Sequence, residues 1–308
     1  MGKGVFIISL DCEGKWGMAD HVTEHHTRCL TNANIEKTYD NLLRLLAGCN
    51  IKATFAFVSL FTMSFDEYYH YRNMLGDSEV YDAWLKFFRR DIDNGLYDGW
   101  FAPGLMELVA AEGMHEIASH GFCHIPFDAR IITRTDAARE LEAIASVNGA
   151  RSIQARTFVY PRNLVGYRDL LSETGYFGYR EALPSTHGAW GKVANIAREF
   201  NLLQKSQSRR GAERLLAIPS GYFLNWRNGV RTVVPAAVTL ARWKGIIDHA
   251  IKHDGIAHLW LHPHNLIDGR SQLELLESVL RHVADKLKTG ELVNFTQYDY
   301  CLDAVAGG

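Results

Sequence analysis

Short apolar runs rich in β-branched and aromatic residues alternate along the chain with segments whose leucines recur every three or four positions. Runs of the first kind read as strands. They are VFIISLD (5–11), ATFAFV (53–58), HEIASH (115–120), TFVYP (157–161), FGYRE (177–181), LLAIPS (215–220), AHLWLHP (257–263) and LVNFTQY (292–298). Segments of the second kind read as helices. NIEKTYDNLLRLLAGCN sets Leu42, Leu45 and Leu46 on one face with Gly48 as a stop. SQLELLESVLRHVADKLKTG has the same periodicity, with Ser271 as N-cap and Gly290 as stop. Strands alternating with helices predict an α/β fold with a mostly parallel sheet. No internal repeat, low-complexity tract or Pro/Ser-rich linker divides the chain, so one barrel-like domain over 1–308 is expected.

Two stretches break the alternation and read as rim insertions. Residues 59–104 are dense in aromatics, among them Phe61, Phe65, Trp84, Phe88 and Trp100. Residues 221–243 mix Trp226, Trp243, Arg227, Arg231 and Arg242 with small apolar residues. Long excursions from a barrel rim shape substrate grooves or oligomer contacts. The second stretch suits stacking on a sugar, pairing with a phosphate or lying at a membrane interface, and equally a barrel helix with a rim loop.

Composition narrows the partners. Thirty-three basic against thirty-five acidic residues, with no basic block, argue against a nucleic-acid polymer. No stretch reaches the roughly 18 apolar residues of a spanning helix, which leaves peripheral membrane contact open. The short apolar run at the amino terminus lacks the pattern of a signal peptide, so a cytoplasmic protein is expected. Five scattered cysteines without a CxxC pair read as reduced thiols.

Chemistry concentrates at strand ends. Along FIISLDCEG, period two puts Phe6, Ile8, Leu10 and Cys12 on one face and Val5, Ile7, Ser9, Asp11 and Glu13 on the other. Asp11 and Glu13 then point into the barrel mouth, where barrel active sites lie, and Cys12 faces the covering helices. ASHGFCH carries His120 and, four residues on, His124, a spacing at which two imidazoles from one turn reach one metal. Cys123 is a weaker alternative ligand. HLWLHPHN puts His258, Trp260, His262 and His264 on one face. His258 and Trp260 read as barrel filling, and His262, nearest the strand end, as the proton-transfer group.

DCE, SHGFCH, FVYPRN and LWLHPHN, in this order, resemble the motifs of the polysaccharide deacetylase family, the chitooligosaccharide-deacetylase homology domain of carbohydrate esterase family four. The resemblance implies a distorted (β/α)7 barrel that binds one divalent metal, zinc first, with cobalt, nickel, iron(II) or manganese(II) as alternatives. It implies Asp11 as catalytic base, His262 as general acid, and His120 and His124 as metal ligands, with Glu13 the ligand of a D-x-E first motif. An Arg often follows the Phe of the third motif, where this chain has Val159. Arg162 or Arg180 is the expected substitute for orienting the base. The backbone around Tyr160 is the implied oxyanion donor; apart from the resemblance, Trp226 and His264 are candidate substrate-binding residues. A carboxylate partner for His262 is sought at Asp254 or Asp268.

The implied activity is metal-dependent deacylation of an N-acetylated sugar, a nucleotide-sugar or a lipid-linked glycan in surface-polysaccharide assembly. Two alternatives remain: an amidohydrolase acting on a non-sugar amide such as a ureide, and a catalytically silent metal- or carbohydrate-binding protein. An oligomer is compatible with all three.

Overall fold

A computed structural model describes residues 3–183, 198–209, 214–267 and 270–306. Among the described residues nine strands form one sheet: β1 (Gly4–Cys12), β2 (Thr54–Phe57), β3 (Glu116–Ser119), β4 (Thr157–Val159), β5 (Gly178–Arg180), β6 (Leu216–Ile218), β7 (Tyr222–Phe223), β8 (Ile256–Leu261) and β9 (Leu292–Phe295). The ladder runs β6-β5-β4-β3-β2-β1-β8-β7, with β9 also paired to β1. Every ladder between these strands is parallel, so all strand carboxyl ends lie at one mouth of the curled sheet, a half-barrel of the distorted α/β barrel type. The eight strands expected from the sequence are present. β7 adds a two-residue strand inside 221–243, too short to show a period.

β1 is buried throughout because it pairs with β2, β8 and β9 and is covered on both faces. Its two faces separate as the alternation requires. Phe6, Ile8, Leu10 and Cys12 join the main core under the helices, whereas Val5 and Ile7 pack with Leu216, Ile218 and Ile256.

Among the described residues, five helices have ten or more residues: α1 (Asn32–Cys49), α2 (Arg134–Ala150), α3 (Ala236–His253), α4 (Arg270–Lys288) and α5 (Gln297–Ala306). α1 starts at Thr31, whose hydroxyl accepts from the Asn34 amide at 3.3 Å, and buries Ile35, Tyr39, Leu42, Leu43 and Leu46. Gly48 does not stop it. The helix continues to Cys49, and Asn50 takes the left-handed cap at φ 52°, a conformation asparagine tolerates. Ser271 likewise lies inside α4 rather than before it, while Gly290, at φ 73°, follows its end. None of the described helices is long and apolar enough to cross a membrane.

The insertion at 59–104 folds into short helices whose aromatics extend the main core. Trp16 packs against Phe88 at 4.6 Å and Trp100 at 5.1 Å, and Trp84 and Phe61 are buried. Its aromatic density therefore serves packing rather than an open groove. The stretch 221–243 divides into β7, a rim loop and the first two turns of α3, with Trp243 fully buried.

Candidate active site

Asp11 and Glu13 leave the mouth end of β1 on its inner face, both nearly inaccessible. The β1–β8 register ends at Leu10 against Leu261, so the next residues, Asp11 and His262, stand level. β3 ends at Ser119, level with Phe57 and Phe158, and delivers His120 to the same rim. The two histidines come from one non-helical turn after β3. They bracket a loop that reverses at Gly121 (φ 90°) and returns His124 at φ 62°.

This loop is held from behind. The Glu140 carboxylate on α2, itself buried, accepts the Phe122 and Cys123 amides at 3.0 and 3.2 Å through one oxygen. Its other oxygen takes the Tyr81 hydroxyl at 3.1 Å and the Cys123 thiol at 3.2 Å. Cys123 thus points away from the site and is no ligand. Burial beside Glu140 pushes its thiol well above the ordinary range.

Glu13 Oε2 lies 2.8 Å from His124 Nε2 and 3.2 Å from His120 Nε2, and the two imidazole nitrogens are 3.1 Å apart. His120 Nδ1–H donates to the Val159 carbonyl at 2.8 Å, which leaves Nε2 as a lone pair aimed at the other two atoms. His124 Nδ1 is buried without a partner among the described residues. Three donor atoms facing one another with so few protons to share suit a cation. A tetrahedral centre with bonds of ~2.0–2.1 Å has edges of roughly 3.3 Å, close to this triangle. The residues present therefore fit a divalent metal. Gly17 is part of the fit, since a Cβ there would collide with the Glu13 carboxylate. Burial raises the Glu13 pKa, but His262, His124 and His120 outweigh it and hold the carboxyl well below its usual range.

Asp11 is gripped by Arg180. Nη1 lies 2.7 Å from Oδ1 and Nη2 2.6 Å from Oδ2, with both side chains buried. Burial alone would raise the Asp11 pKa; Arg180 and His120 lower it below the ordinary value. Arg180 also donates to Ser9 Oγ at 3.1 Å and Asn163 Oδ1 at 2.9 Å, and its guanidinium sits 4.7 Å over the Trp260 ring. Of the two arginines considered, Arg180 is the one on Asp11. Arg162 instead bonds Asp20 at 2.5 and 3.0 Å and stacks 4.6 Å over Trp84.

Beneath Arg180, His258 Nδ1–H donates to the Pro219 carbonyl at 2.6 Å, so its Nε2 accepts from Ser9 Oγ at 2.8 Å. Burial, with Arg180 nearby, drops its pKa to about 3 and keeps it neutral. His258 and Trp260 are barrel interior, as the alternation indicates.

His262 is partly exposed at the mouth. Its Nε2 lies 3.5 Å from Glu13 Oε1 and 3.9 Å from Asp11 Oδ2. The expected carboxylate partner is replaced by an amide: Nδ1 donates to Asn265 Oδ1 at 3.1 Å. Asp254 caps the carboxyl end of α3 and so precedes β8, remote from the strand's mouth end, and Asp268 lies outside the described residues. His264 stacks on His262 at 5.0 Å, and burial lowers its pKa to about 3. The Tyr160 ring is buried against Phe158 and Tyr179, so only its backbone can serve at the rim. Ser9, Glu140 and Gly17 belong to the site's scaffold without a motif that announces them. Asn163 and Asn265 close the FVYPRN and LWLHPHN motifs, each four residues past the end of its strand.

These groups open into a cavity of about 1240 Å³, lined also by Trp226, Phe223, Arg231 and Arg242.

The class this fold defines is the parallel α/β barrel with its chemistry at the strand carboxyl ends. Within it, the architecture matches a protein of Mycobacterium smegmatis assigned as a polysaccharide deacetylase, with TM-score 0.65 and 14% identity over 100% of this chain and 92% of that one. A protein of Pseudomonas aeruginosa PAO1 with the same assignment matches with TM-score 0.55 and 15% identity over 96% of this chain and 89% of that one. No protein-family model and no curated protein matches the sequence. The chain shares the fold of these two proteins.

Proposed function

We propose that this protein is a metal-dependent hydrolase that removes N-acyl groups from amino sugars. The observation that carries the reading is the convergence of Glu13, His120 and His124 beside an arginine-clamped Asp11, with His262 level across the mouth. A divalent cation held by Glu13, His120 and His124 would supply Lewis-acid polarisation of the acyl carbonyl and a more acidic water. Asp11, kept ionised by Arg180, takes the proton of the attacking water at a carboxylate oxygen. His262 Nε2, with Nδ1 anchored on Asn265, returns a proton to the departing nitrogen, since an amine leaves poorly unprotonated. The Tyr160 amide, at the end of β4, is the proposed donor to the developing oxyanion. Trp226 and His264 supply faces for a sugar ring. The shared fold of the two assigned deacetylases supports the same reaction class.

A cavity of about 1240 Å³ has room for a sugar with a further substituent, which supports a nucleotide-sugar or lipid-linked glycan as substrate. The test is acyl release. Purified protein with its metal content measured is incubated with N-acetylated sugars and with ureides, before and after chelation. Acetate from sugars, lost on chelation and in Asp11→Asn, is expected. Hydrolysis of ureides alone would overturn the sugar reading, and metal-bound protein that turns over neither would point to a silent binder.

A further inference from the structure

On the side of the cavity next to β7 and α3, Arg231 and Arg242 line the wall together with Arg198 and Glu199. Elsewhere on the cavity Arg162 has Asp20 and Arg130 has Asp128, and behind its lining the buried Arg180 has Asp11. On this wall Glu199 is bonded to Arg242 at 2.6 Å, yet it also lies in the field of Arg231 and Arg198. Three guanidiniums thus surround one carboxylate. Arg242 is buried and further tied to Gln204 at 2.8 Å. Arg231 instead lines the open cavity, and its side chain has no hydrogen-bond or ion-pair partner among the described residues. Its Cζ sits 5.3 Å over the Phe223 ring, a cation–π contact that leaves the N–H edges of the guanidinium free. Phe223 in turn packs 5.6 Å from the His262 ring and 4.7 Å from Trp260.

A single aromatic ring therefore separates the free guanidinium from the proposed general acid. A sugar whose acylamino group lies between Asp11 and His262 would extend a ring substituent along Phe223 toward Arg231. We propose that Arg231, seated on Phe223, is an anion subsite, and that the substrate is an N-acylated sugar bearing a phosphate or carboxylate. This rests on the sugar-deacylase reading and narrows its substrate. Arginine suits the role because its planar fork pairs with both oxyanions through two parallel hydrogen bonds.

Affinity of the metal-loaded protein is measured by calorimetry for N-acetylglucosamine, its 1-phosphate and the corresponding N-acetylated uronic acid. The anionic ligands are expected to bind about tenfold or more tightly than the neutral one. In Arg231→Ala that preference should fall to near unity. Preference for the phosphate alone would assign a glycosyl phosphate, and preference for the uronate a carboxylated sugar. Equal affinity for neutral and anionic sugars, or a preference that survives in Arg231→Ala, overturns the proposal. Inorganic phosphate is titrated in parallel, independently of whether any sugar is bound or hydrolysed. A binding component lost in Arg231→Ala is expected, and identical isotherms for the two proteins refute the subsite. Absence of acyl release with a retained anion preference would count against the deacylase and not against the subsite.

Discussion

The Arg180 guanidinium meets Asp11 edge to edge, each nitrogen on its own carboxylate oxygen, at 2.7 and 2.6 Å. A lysine ammonium cannot reproduce two parallel bonds. Arg180→Lys should therefore keep its metal and lose about 10²-fold in turnover, because general-base catalysis contributes ~10²–10⁴-fold. Arg180→Met, which strands a buried carboxylate, should also cost about 3–5 kcal/mol of stability by denaturant titration. Wild-type turnover in Arg180→Lys would remove Arg180 from the base.

Metal content checks the ligand set directly. His120→Ala and His124→Ala should each purify without stoichiometric metal, and chelation should lower the melting temperature of the wild type but not of these variants. Full occupancy in both variants would sink the assigned site.

Cys12 sits between the two proposed functional carboxylates in the chain, yet its thiol faces the core and reaches the Leu10 carbonyl at 3.4 Å. Cys12→Ser should leave activity within about twofold and cost ~1 kcal/mol of stability, the expense of a buried hydroxyl. Loss of activity in a folded Cys12→Ser protein would contradict the face assignment.

Glu140 touches neither ligand but anchors the loop between them through the Phe122 and Cys123 amides. Glu140→Ala should weaken metal binding about 10–100-fold, the scale of outer-shell losses. Glu140→Gln should restore most of it, because an amide oxygen still accepts both N–H groups. Equal metal affinity in wild type and Glu140→Ala, read by competition with a chelating dye, would limit Glu140 to packing.

Acid should destabilise the fold through its buried neutral imidazoles. Burial drops His258 to about 3 and His115 to about 4, against 6.5 when exposed. As pH falls below 6.5 the unfolded chain binds protons that the folded chain refuses until near those lower values, so unfolding free energy declines across that window. His258→Gln, able to accept from Ser9 and donate to Pro219, should lose less stability between pH 8 and pH 5 than the wild type does. Parallel losses would exclude His258 from the acid response.

Much of this arrangement was legible in the chain because strand periodicity is local. Alternation along β1 separates Asp11 and Glu13 from Cys12, and apolar runs locate eight of the nine strands. Partnership across strands is not local. Which arginine reaches Asp11, and that His262 is held by Asn265 rather than by an aspartate, depend on register and loop closure. Glu140 carries no signal at all, since a glutamate in an amphipathic helix looks like any solvated one until the loop folds over it. The stop assigned to Gly48 fails for a simpler reason: a glycine can remain helical when the next asparagine provides the left-handed turn.

Val159 and Arg180 are direct register partners on β4 and β5, and Val159 packs with Ala56 and Ala118 in a patch of small side chains. A parallel barrel in this sense offers its centre a set of interchangeable rungs. A long side chain launched from either of two adjoining rungs at one height can arrive over the same carboxylate, provided the other rung stays small. The requirement for a cation there belongs to an altitude in the barrel and not to a place in the sequence, so linear motifs undercount the chains able to meet it.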